Sequence, residues 1–96
     1  MAYWIMLFKF RSDIKLYKFE DLGIVLDETK ETCYILNQTA TWLLSMMSEF
    51  VTLEDLSTLA KQKYQTETKD NIFFEIQEIM RYLSERNIIE VKFCGD

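Results

Sequence analysis

LGIVLDETKETCYILNQTATWL, residues 22–43, decides the fold. Leu22–Asp27 is a run of aliphatic and β-branched residues, which predicts a strand. Residues 28–31 are polar and predict a turn, and Thr32–Leu36 predicts a second strand. Asn37 stands where a side-chain oxygen can accept from the first turn of a helix that begins near Thr39. A β-hairpin thus runs directly into a capped helix. Alternation along the second strand puts Tyr34 and Leu36 on one face and Cys33 and Ile35 on the other. Tyr34 and Leu36 are expected to look toward the helices. The outer edge of this strand could accept an extended peptide.

Upstream, residues 3–10 and Lys15–Phe19 are two further candidate strands, separated by the polar break Arg11-Ser12-Asp13. The order of the strands cannot be read from this pattern. The apolar start, MAYWIMLFKF, is too short to span a bilayer and lacks the basic flank and small-residue site of a signal peptide. A buried or sheet-pairing strand is the expectation, one that could also dock a partner subunit or a second copy of the chain.

Downstream, three helices are expected. The first covers about 39–49, with Ala40, Leu43, Leu44 and Met47 as its core stripe and Trp42 and Met46 packing against the N-terminal strands. The second opens with Thr52-Leu53-Glu54-Asp55, a capping box in which Asp55 answers Thr52. Leu53, Leu56, Leu59, Ala60 and Tyr64 are its apolar stripe, and Lys61 and Lys63 suit the negative end of its dipole. A polar loop at 65–68 leads to a third helix over 69–86, with Thr68 as candidate cap and Asp70 in the first turn. Ile72, Ile76, Ile79 and Leu83 mark its buried face. Phe73 and Met80 lie to one side and Phe74 nearly opposite, so the helix is apolar over more surface than one core requires. Asn87 tolerates the left-handed backbone that ends many helices. A last strand follows over 88–93.

The 96 residues suit a single α+β domain, 1–96: antiparallel N-terminal strands, three helices and a short C-terminal strand, in a winged helix-turn-helix-like order. A hydrophobic content of 49% can form a core without metal or disulfides. The net charge of -5 argues against nucleic acid, because a phosphate backbone needs a lysine and arginine footprint. The third helix carries Lys69, Arg81 and Arg86 against Asp70, Glu75, Glu78 and Glu85, a poor surface for a major groove. The absence of histidine removes Ser-His and Cys-His nucleophiles and most zinc sites. Cys33 and Cys94 have no CxxC spacing and suit reduced thiols in a cytoplasmic protein. No cofactor, no metal and no catalytic residue is expected.

Several ordered pieces carry a family resemblance: Leu26-Asp27-Glu28, Tyr34-Ile35-Leu36-Asn37, Thr39-Ala40, Thr52-Leu53-Glu54-Asp55-Leu56, Tyr64, and Glu75-Ile76 followed by Ile79-Met80 and Leu83. Over about 22–91 the chain resembles the PqqD-like family of RiPP recognition elements, leaving 1–21 as added N-terminal strands. It departs from the family in Glu75, where aspartate is common, and in Asn87, where glycine is common. The resemblance implies a non-catalytic adaptor. Such an adaptor binds the leader of a ribosomally made precursor peptide by strand addition and presents it to a modifying enzyme or leader protease. The hairpin IVLDETKETCYILN leans toward the lasso-peptide type. The alternatives are a peptide chaperone for a radical-SAM maturase and an acidic winged-helix regulator.

The resemblance also implies a groove between the last hairpin strand and the third helix. Its strand wall would be Thr32, Cys33, Tyr34, Ile35 and Leu36, and its helix wall Phe73, Ile76, Gln77, Met80 and Ser84. Phe73 and Met80 could instead pack beneath the hairpin, and Cys33 would be a marginal contact.

Overall fold

The computed structural model describes residues 4–64 and 69–95. Tyr3, the loop at 65–68 with its candidate cap Thr68, and the side chain of Asp70 lie outside the described residues. In chain order the described elements are β1 (Trp4–Phe10), β2 (Lys15–Phe19), β3 (Leu22–Asp27), β4 (Thr32–Leu36), α1 (Gln38–Ser45), β5 (Val51–Thr52), α2 (Leu53–Tyr64), α3 (Lys69–Glu85) and β6 (Ile89–Gly95).

The strands form two separate sheets. One is the meander β2-β3-β4, antiparallel throughout, with Val25 opposite Tyr34 and Gly23 opposite Leu36. The other has the order β5-β1-β6, so the N-terminal strand pairs with the C-terminal one, Phe8 opposite Val91 and Phe10 opposite Ile89. This joining of the two ends of the chain is a long-range pairing that no local pattern announces. The short strand β5 escapes the sequence because Thr52 serves two roles at once. It pairs with Leu7 on β1, and it closes the capping box of α2.

Local chemistry explains the element ends. The meander's second turn is set by Asp27, whose buried carboxylate accepts from the backbone N–H groups of Thr29 (3.1 Å) and Lys30 (3.3 Å). Glu31 then takes a left-handed backbone, φ 52°, to start β4. The Asn37 side chain accepts from the Ala40 N–H at 2.8 Å, as expected of a cap. The helix it opens is shorter than its apolar run, ending at Ser45 rather than near residue 49. There the carbonyl of Met47 instead accepts from the N–H of Phe10 at the end of β1, 2.8 Å. α3 closes in a Schellman motif: Asn87 has φ 56°, its N–H donates to Ser84, and the N–H of Ile88 donates to Leu83.

The core lies where both sheets meet the helices. Val25, Leu36, Leu43, Leu44, Met47, Leu56, Ile76, Leu83 and Ile88 are all buried in it. Removing each larger aliphatic side chain from water is worth about 1.5–3 kcal/mol. Trp42 differs from expectation. Its ring meets Tyr64 edge-on at 5.9 Å and lies under the ammonium of Lys63, so it packs on the end of α2 rather than on the N-terminal strands.

Candidate peptide groove

A strand edge can add a new strand only if its backbone groups face outward and its side chains do not repel the newcomer. Among the described residues, β2, β4, β5 and β6 each end a sheet. β5 is two residues long. β2 carries Lys15 and Lys18, and β6 carries Glu90 and Lys92. β4, with the sequence TCYIL, carries no charge.

β4 has the predicted two faces. Tyr34 and Leu36 turn inward against the core, while Cys33 and Ile35 are exposed, Ile35 by 69%. Between the end of this strand, the start of α1 and the side of α3 runs a groove of about 400 Å³. Ile35, Leu36, Asn37 and Ala40 form one wall, and Glu78, Ile79 and Tyr82 form the other. The polar rim is organised. Glu78 is ion-paired with Arg81 one turn on, and the Arg86 guanidinium stacks 3.6 Å from the centre of the Tyr82 ring. A second depression continues along α3 past Thr39, Trp42, Tyr64, Ile72 and Glu75.

The residues expected at the site separate into three groups. Thr32, Cys33, Tyr34, Ile35 and Leu36 lie together on β4, and of these Ile35 and Leu36 line the groove. Ile76 and Met80, 2% and 3% exposed, are largely core, and the little they leave exposed lines the second depression (Ile76) and a trough on another side of α3 (Met80) rather than the groove beside β4. Gln77 and Ser84, with Met80 below them, line a trough with Met6, Phe8 and Leu53, on the side of α3 that faces β1. Phe73, 41% exposed, lines its continuation past Ile5 and Thr52. The reason is angular. At 100° per residue, Phe73, Gln77 and Ser84 fall roughly opposite Glu78, Ile79 and Tyr82 around the helix. Both stripes flank the buried line of Ile72, Ile76 and Leu83, and the sequence offers no sign of which one faces β4. Excess apolar character points to the Phe73 side. The side that meets β4 is the more mixed one, with a glutamate and a tyrosine.

Among the described residues no cluster of three or more acidic, cysteine or histidine side chains could hold a metal ion. Cys33 and Cys94 are free and exposed. The buried Asp27 is committed to its turn, with the Arg11 guanidinium 3.8 Å away.

Two solved structures share this architecture. One is TbiB1 in complex with the TbiA(beta) leader peptide. It superposes with a TM-score of 0.73 at 15% identity, covering 85% of this chain and 94% of that one. The chain has the PqqD fold. The second structure makes this plain: the PqqD truncation of Methylobacterium extorquens PqqCD, a stand-alone RiPP recognition element, has a TM-score of 0.71 at 16% identity over 88% of each chain. At such identities the likeness is one of fold. No family model and no curated protein matches the sequence. In this PqqD fold the chain's own packing leaves an uncharged strand edge open and the groove beside it unfilled.

Proposed function

We propose that this protein is a non-catalytic adaptor that binds the leader segment of a ribosomally synthesised precursor peptide. The leader adds as a strand to the outer edge of β4, its backbone pairing with Thr32–Leu36. Side chains on one face of the leader enter the groove lined by Ile35, Leu36, Ile79 and Tyr82. The observation that carries this reading is the pairing of an open, uncharged strand with an apolar groove. The leader peptide held by the similarly folded TbiB1 supports it.

The bound leader holds its precursor for a modifying enzyme or a leader protease acting in the cytoplasm. The hairpin sequence favours the lasso-peptide type, and service to a radical-SAM maturase is the alternative, in keeping with the likeness to PqqD. No helix among the described residues is long and apolar enough to cross a membrane.

Hydrogen exchange tests the binding mode. Adding a leader peptide that binds should slow exchange of the outward amides of β4. Proven binding that leaves β4 unprotected would sink strand addition there.

A further inference from the structure

The second sheet also ends in an open strand. β6 spans Ile89–Gly95 and pairs through one edge only, with β1. An open depression near the start of β6 is bounded by Arg11, Lys30, Asn87, Ile89, Glu90 and Val91. Glu90, Lys92 and Phe93 are exposed, Phe93 by 58%. Charges on a sheet edge normally repel an added strand. Here they are of opposite sign and two residues apart, which matters when the added strand is the same sequence running backwards.

Two copies of β6 related by a two-fold axis normal to the sheet pair antiparallel, and residues opposite each other must share a face. Only registers centred on a residue satisfy this. Centring on Glu90 sets glutamate against glutamate, and centring on Lys92 sets lysine against lysine. Centring on Val91 sets Glu90 against the partner's Lys92 twice, on the outer face. On the inner face the same register sets Phe93 against the partner's Ile89 twice and Val91 against its own copy. One register therefore joins opposite charges and covers the exposed Phe93, while its neighbours are repelled.

We propose that the edge of β6 is a self-association surface, through which two copies of this chain join their three-stranded β5-β1-β6 sheets into one continuous sheet centred on Val91. The charge pattern specifies the second copy as the occupant. β4 belongs to the other sheet and remains free in each copy, so the dimer carries two peptide grooves.

Sedimentation equilibrium on the intact chain tests this with charge-swap variants at exposed positions. The natural chain should dimerise. Glu90→Lys and Lys92→Glu should each weaken the dimer by about tenfold or more, by facing like charges across the strand pair. Combining the two should restore it, because the swapped charges again meet their opposites. A chain that stays monomeric at the highest attainable concentration overturns the proposal. So does a dimer indifferent to these charges, which would place the contact on another surface.

Discussion

A Cβ atom on Gly23 would stand 2.3 Å from Oγ1 of Thr41 and 2.8 Å from its Cγ2. The first turns of α1 lie that close to β3. Thr41 is buried, and its hydroxyl donates to the carbonyl of Asn37 at 2.7 Å. Gly23 is also the β3 partner of Leu36. The missing side chain therefore lets α1 settle on the sheet at the point where β4 ends and the groove begins.

Gly23→Ala should accordingly destabilise the domain by about 1–3 kcal/mol, the usual effect of overpacking a filled site. Urea unfolding measures this. Adding Thr41→Ala removes the two nearest atoms and should recover part of the loss. A fully tolerated Gly23→Ala would mean that α1 can lift off the sheet at little cost.

The two sides of α3 can be told apart by one pair of variants. Ile35→Asp lies on the β4 side and is exposed, so stability should change little. Leader binding should weaken roughly 10- to 100-fold, the worth of one buried aliphatic contact. Phe73→Asp lies on the β1 side and should leave leader affinity unchanged. Calorimetric titration of both variants with one leader peptide decides the matter. The reverse outcome would move the site to the trough beneath Met6.

Asn87 holds a left-handed backbone, φ 56°, at the end of α3. Asn87→Gly should be neutral or stabilising in thermal unfolding. Asn87→Ala should cost about 1 kcal/mol, because alanine lacks the local hydrogen bonding that eases this conformation.

The hydrogen bond from Arg11 holds the Asp13 carboxyl below the ordinary aspartate range. A carboxyl depressed on folding stabilises the native state above its unfolded pKa, and this is lost as pH falls through the lower folded value. Asp13→Asn should therefore flatten part of the acid limb of stability against pH and leave its slope near neutrality unchanged. The pair is exposed, so the effect should be small and should shrink in salt.

The elements with a local cause are legible in the sequence. The hairpin 22–36 follows from alternation around a polar turn, and the Asn37 cap and the Thr52–Asp55 box follow from side chains that reach their own backbone within three residues. The inward face of β4 follows from period-two geometry once Tyr34 and Leu36 are taken as core. Apolar periodicity overextends α1, because Met46 and Met47 continue its run past the point where Met47 turns to bond β1.

The sequence by itself determined every strand but β5, the helices to within about a turn, and most of the faces they bury, because each depends on residues a few positions apart. Tertiary structure alone decided the pairing of β1 with β6 and the side of α3 that meets β4. These join residues from distant parts of the chain. Apolar character on α3 favours the Phe73 stripe, so the pattern within the helix could not name the more mixed stripe of Glu78, Ile79 and Tyr82 as the one beside β4. The packed arrangement places Ile79 and Tyr82, not Phe73, beside the open edge of β4, with α1 seated on β3 over a glycine that has no side chain to hold it off.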